Sequence, residues 1–413
     1  MINLKKLKLD VILLIVMLAL MAGYHFLRYF GCPWESYGDS IRQLANNTLI
    51  VIGCSFFAFF AMFILIVLLL ITKKFPNKIT IPILIMLIFG VFWVGYSILF
   101  DNISPTLLLR DSFPPFSLIT CGVILAGYNH KWWKLLKNII FIVACLFVLY
   151  AFVEIIIAFS KFGFNYRMTS GAPMYLYIIG LYATYGLVTL TDEWRKNRKA
   201  IVFILVILLF FNSAILQGRS WFIQTIILFV IYVFRIRAVF RKNAIFRISI
   251  TFISIAIAIT IFATNIDLFQ GLIERFQTSG DTRTAQLKAF FSQVGFNDLM
   301  IGGGIRAGYL FNNDPNFHFV DNQVLLYMFR YGIIPTVTYL YLLLYPVYKS
   351  FRLKNKKLIL KSIVLISWFA AMLGLSVYFN LTFGMAHMLI MIYTGRLFYE
   401  VLYYKANRKL AEQ

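Results

Sequence analysis

The chain has 413 residues, of which 61% are hydrophobic, 18% aromatic and only 13% charged, and its mean hydropathy is +0.82. A soluble protein of this length needs far more polar surface than that. The net charge of +23 would suit a nucleic-acid binder, but the way the cations are sorted along the chain excludes that class.

A helix that crosses a bilayer needs about 20 apolar residues. Twelve runs predict such helices: roughly 11–28, 48–71, 79–100, 114–128, 138–159, 173–190, 200–216, 221–237, 247–265, 332–348, 358–379 and 382–401. The expected fold is an all-α polytopic membrane protein, with residues 1–413 as a single integral membrane domain. The first run has a basic flank and no small-residue cleavage site after it, so it reads as an uncleaved signal anchor.

The gaps between runs alternate in charge. Both tails and the even-numbered gaps hold 28 of the 39 basic residues, among them Lys73, Lys74, Lys78, Lys131, Lys134, Arg195, Lys196, Arg235, Lys349, Arg352 and Lys361. Cytoplasmic loops retain Lys and Arg, so this side is expected to be the cytoplasm, with both termini inside. Anionic lipid headgroups account for the basic charge, and nucleic acid is not expected as a partner.

Cys32, Cys54, Cys121 and Cys145 show no paired spacing, so neither a disulfide framework nor a Cys metal site is expected. His25, His130 and His387 are scattered over different segments and make no metal site; they read as structural. Glu154 lies near the outer end of the fifth run. An acid there is costly and predicts either a pairing with an arginine or a place at a site.

The few cations on the far side carry the functional expectation. Arg219 sits in Gln217-Gly218-Arg219-Ser220-Trp221, a tight outer turn, with Asn212 and Ser213 one to two turns deeper. Residues 266–331 form one long outer loop whose polar residues, including Glu274, Arg275, Arg283, Gln286 and Lys288, recur at helical spacing. Its apolar residues predict amphipathic helices lying on the bundle, as the wall of a site. Arg219, Arg283 and Arg306 suit a diphosphate, because guanidinium groups bind phosphate oxygens bidentately and stay charged. Gly302-Gly303-Gly304 is either a hinge or a place where backbone N–H groups approach an anion. Asp321 precedes a helical run and could cap it, while also serving as a general base; His318 is the second candidate base. Tyr309 and its neighbouring aromatics interleave with polar groups, a mixture that suits sugar faces and membrane belts equally.

Taken in order, Asn212-Ser213, Gly218-Arg219-Ser220-Trp221, Arg283, Gly302 to Gly304, then Asp321-Asn322 with Gly332 ten residues on, resemble the O-antigen polymerase (Wzy-type) and ligase superfamily. The resemblance covers about residues 200–345. It implies a GT-C-like membrane glycosyltransferase in the bacterial cytoplasmic membrane, with its site facing outward. The implied substrates are undecaprenyl-diphosphate-linked oligosaccharides of an O-antigen or capsule, handled without metal or other cofactor. Arg219 and Arg283 would hold the departing diphosphate, with Ser220, Arg306, Tyr309, Asn322 and Glu154 as further binding residues. A chain-length regulator is a candidate partner. Asp321 stands where the ligases carry His, which favours the polymerase; His318 keeps the ligase alternative open. A flippase would need polar residues at the midplane and repeat symmetry, and the sequence has neither.

Overall fold

The computed structural model describes residues 9–29, 49–100, 103, 113–162, 172–190, 194, 196–215, 219–239, 282–304, 306–318, 320–373 and 384–404. Among these the protein is 86% helical, with fourteen α-helices. In chain order they are α1 (Leu9–Tyr29), α2 (Leu49–Thr72), α3 (Asn77–Leu99), α4 (Phe113–Tyr128), α5 (Trp133–Phe162), α6 (Ala172–Thr189), α7 (Lys196–Ile215) and α8 (Arg219–Val239). Then follow α9 (Thr282–Gln293), α10 (Phe296–Ile301), α11 (Gln323–Tyr331), α12 (Ile333–Arg352), α13 (Lys356–Met372) and α14 (Met385–Leu402). Between α10 and α11 lies an antiparallel hairpin of β1 (Tyr309–Phe311) and β2 (Asp314–Phe317).

Eleven of the apolar runs coincide with described helices, starting or ending within a few residues of the expected limits. The run at 247–265 lies outside the described residues, as do 270–281 and 374–379 of the expected elements. Two described segments, Asn77–Leu99 and His130–Ile157, are long and apolar enough to cross a membrane. The hairpin was not expected. It depends on Asn312 and Asn313, both at positive φ (51° and 63°), a conformation that Asn tolerates and that two-residue hairpin turns require.

The chain falls into two compact units. The first is built from residues 1–30, 47–136 and 281–413, and the second from 31–46 and 137–280.

In the first unit α4 packs against α2, α3 and α14. Small residues let α4 and α14 touch backbone to backbone. A Cβ added at Gly127 would land on the Ile392 carbonyl oxygen, and one added at Gly395 would land on that of Ile124. Polar ends are locked around this contact. Glu400 accepts from Lys361 Nζ at 2.8 Å and from Arg396 Nε at 2.8 Å. The Arg396 guanidinium lies 4.9 Å above Trp133, and Arg396 Nη1 is 3.0 Å from His130 Nδ1. His130 stacks on Tyr399, and His387 is buried near Thr120. Cys54, Cys121 and Cys145 are free thiols.

In the second unit α6, α7 and α8 pack on one another, and α6 also approaches α5 through Gly180, where an added Cβ would meet Val148. Tyrosines on α6 fasten it to α8. Tyr182 donates to Gln224 Oε1 at 2.8 Å, Tyr185 to the Gln224 carbonyl at 2.5 Å, and Tyr177 to the Trp221 carbonyl at 3.3 Å. Tyr177 and the Thr225 hydroxyl are also hydrogen-bonded.

Candidate functional site

Residues 282–331 fold into a small cap with its own core. Phe290, Val294, Tyr309, Val320, Leu326 and Phe329 are buried together, with Leu287, Phe311 and Phe317 packed around them. Apolar side chains three and four apart on α9 and α11 create this core, as helical periodicity dictates. Two-sided burial positions α11. Leu326 and Phe329 face the cap core, whereas Tyr331 packs edge-on against Trp93 of α3 and Tyr327 lies beside Tyr339 of α12. The hairpin is tied to α9 by Gln293, whose carboxamide both donates to the Leu310 carbonyl (2.9 Å) and accepts from the Leu310 N–H (2.8 Å).

The segment His318 to Asn322, joining β2 to α11, carries the expected catalytic residues and is held from three directions. His318 Nδ1 lies 3.0 Å from the Ala307 carbonyl oxygen. A carbonyl only accepts, so Nδ1 bears the proton in the neutral ring and Nε2 is left as the acceptor. The His318 carbonyl accepts from Arg330 Nη2 at 2.8 Å. The Asp321 N–H donates to Gln286 Oε1 at 2.9 Å. Gln286 is buried and is also hydrogen-bonded to the Tyr309 phenol. One side chain of α9 thus joins the hairpin to the start of α11.

Several expectations change here. The cap of α11 is Asn322, not Asp321: Asn322 Oδ1 accepts from the N–H groups of Val324 (3.1 Å) and Leu325 (3.2 Å). Asn322, expected to bind substrate, therefore has its side-chain oxygen committed to the backbone. Tyr309 is not on an open sugar-binding face but in the cap core, 3% exposed. Burial, followed by the nearby Asp321 charge, pushes its phenol up to about 12, so the phenol is neutral at physiological pH and serves as a hydrogen-bonding group.

The N–H groups of the glycine run are not free to cradle an anion. Gly302 N–H donates to the Asp298 carbonyl, Gly303 N–H to that of Phe329 at 2.7 Å and Gly304 N–H to that of Arg330 at 2.9 Å. These N–H groups satisfy the carbonyls that the ends of α10 and α11 leave open. Gly302 and Gly332 both adopt positive φ (95° and 86°) and face each other closely. An added Cβ at Gly302 would lie 2.6 Å from the Gly332 nitrogen.

The remaining expected residues are placed as follows. Arg306 is exposed on the loop between α10 and β1. Arg283 is the second residue of α9, and Arg219 and Ser220 open α8; their side chains, and the whole of Arg275, lie outside the described residues. Glu154 is half-buried on α5, hydrogen-bonded to Tyr150 one turn earlier. No arginine pairs with it among the described residues. Asn212 and Ser213 are fully buried on α7, and neither polar atom of the Asn212 carboxamide has a hydrogen-bond partner among the described residues. Arg330 was not singled out from the sequence, although a cation on a cation-poor side, two residues before a glycine stop, was a readable signal.

Compared with known protein families, curated proteins and solved structures, the chain has no match.

Proposed function

We propose that this protein is a polysaccharide polymerase of the bacterial cytoplasmic membrane, with twelve spans, both termini in the cytoplasm and the cap on the outer face. It transfers a growing glycan from undecaprenyl diphosphate to a hydroxyl of the next lipid-linked repeat unit. The acceptor hydroxyl gives its proton to Asp321 or His318 and attacks the anomeric carbon. The bond from that carbon to the diphosphate oxygen breaks, and undecaprenyl diphosphate leaves. Arg219 and Arg283 hold the departing group, where negative charge builds up and fixed cations stabilise it most. No step requires a metal.

The observation that supports this reading most is the anchoring of His318 and Asp321. A long loop that served only as a linker would not build its own core and hold two candidate bases with hydrogen bonds from three other segments. The charge asymmetry of the loops supports the orientation. The buried Asn212, unpartnered among the described residues, supports a polar function at the end of α7, because an apolar side chain would be cheaper to bury there.

The test is the surface glycan of cells carrying Arg219→Ala or Arg283→Ala. Either change is expected to leave single repeat units displayed while synthesis and export of the unit continue. Loss of the single-repeat product as well would indicate the ligase, the reading that the acceptor-type Nε2 of His318 favours. Normal chain length in both variants would remove the diphosphate assignment.

A further inference from the structure

The cap carries an apolar edge that its own core does not use. α10 gives the cap core only Leu299, which packs half-buried against it; Phe296 is 75% and Ile301 71% exposed, and Met300 is exposed as well. An amphipathic cap standing in water would turn this edge inward or replace it with polar residues.

The height of α10 on the bundle explains the edge. Its last residue, Ile301, meets Gly332 backbone to backbone. Tyr331, immediately before that glycine, accepts from Trp93 Nε1 of α3 at 3.2 Å. Trp93 is six residues short of Leu99, the end of α3. At 1.5 Å per residue the α10 end therefore sits about 9 Å below the end of α3. α3 is one of the segments long and apolar enough to cross a membrane. Interfacial helices bury their apolar face by about 5–10 Å. α10 also packs on α12, whose Ile334 and Val337 are exposed, so both of these packed helices present apolar side chains outward. Asn297 and Asp298 are the polar residues of α10 and are exposed, as expected of groups that reach headgroup level.

We infer that α10 is a membrane-docking element, with Phe296, Met300 and Ile301 inserted at the acyl–headgroup boundary of the outer leaflet. The inference rests on the membrane topology proposed above, and its occupant is phospholipid. Docking would hold the cap, and with it His318 and Asp321, against the leaflet in which a lipid-linked diphosphate resides.

The experiment uses spin labels on the full chain, reconstituted in phosphatidylethanolamine–phosphatidylglycerol vesicles, in a background with the four cysteines replaced by alanine. Labels go at Phe296→Cys, Ile301→Cys, Val91→Cys on the exposed flank of α3, and Asn313→Cys at the hairpin tip. Docking predicts that the 296 and 301 labels collide more with oxygen than with a water-soluble nickel chelate, as at 91, and unlike 313. Labels at 296 and 301 that behave like 313 overturn the inference while leaving the topology standing. A water-accessible label at 91 removes the topology itself. Labels at 296 and 301 shielded from both reagents would mean a second protein copy covers the edge, which also overturns it. Should the cysteine-free chain not fold, hydroxyl-radical footprinting of the unaltered protein in the same vesicles decides. Docking expects Phe296, Met300 and Ile301 to be oxidised less than Leu310 of the hairpin, itself 52% exposed, and oxidation equal to or above that of Leu310 overturns it.

Discussion

Replacing Asp321 with Asn should leave the start of α11 intact, because Asn322 Oδ1 already binds the two N–H groups there. The variant is expected to keep its thermal midpoint and to lose polymerisation. Asn322→Ala should show the converse in stability, a loss of about 1 kcal/mol typical of an N-cap, seen as a lower midpoint. If both variants retain full glycan length, neither side chain acts in the chemistry. Asn212 gives a second contrast. Its carboxamide is fully buried with neither polar atom partnered among the described residues, so Asn212→Leu should raise the thermal midpoint, since an unmet buried amide typically costs about 1–3 kcal/mol. A role at the site predicts that the same variant shortens the glycan. A stabilised variant with normal chains would make Asn212 a structural leftover. Tyr309 shows the same dependence on context. Its phenol is pushed to about 12 from an ordinary 10. Its raised value means that the fold favours the neutral form. That contribution is complete below pH 10 and is lost as pH rises through about 12.

At the scale of elements, the junction of α10 with α11 and α12 depends on two glycines. Gly332 takes positive φ and faces the Ile301 carbonyl so closely that a methyl group has no room. Gly332→Ala is expected to destabilise the cap by about 2 kcal/mol or more, from backbone strain alone, and to expose residues 282–331 to limited proteolysis while the bundle persists. Gly303→Ala meets nothing nearer than the Ala307 side chain at 3.0 Å, with the Phe329 carbonyl oxygen at an ordinary 3.6 Å, and should be milder. Equal protease resistance in the two variants would mean that the junction yields. Much of this was readable in advance. Gly332 directly follows an amphipathic run, the usual signature of a helix stop. Asn312-Asn313 between short aromatic segments was a hairpin signal, but three- and four-residue strands are too brief for period-two alternation to stand out.

For the whole molecule, the alternation of basic loops predicts a fixed orientation. Single cysteines at Lys131 and Asn313, in a chain without its native cysteines, test it with a membrane-impermeant maleimide. In intact cells the hairpin tip should react and position 131 should react only after permeabilisation. The opposite pattern would invert the topology and place the cap in the cytoplasm, where no lipid-linked polymerisation of an exported glycan could reach it.

Helix positions were legible because span length and apolar run length are the same physical quantity: a buried or lipid-facing helix needs a long hydrophobic stretch whatever it packs against. The roles of individual cap residues were not legible in this way. Gln286 bonds an N–H 35 residues away, and Trp93 reaches a carbonyl 238 residues away. Partners so distant leave no periodic trace. The chain's own pattern determined that long apolar helices would form and which of their connections would be basic. Only tertiary packing decided that Tyr309 turns inward, that Asn322 rather than Asp321 caps α11, and that the glycine N–H groups are taken up by carbonyls, because burial and hydrogen-bond satisfaction depend on which distant segment arrives to fill each place.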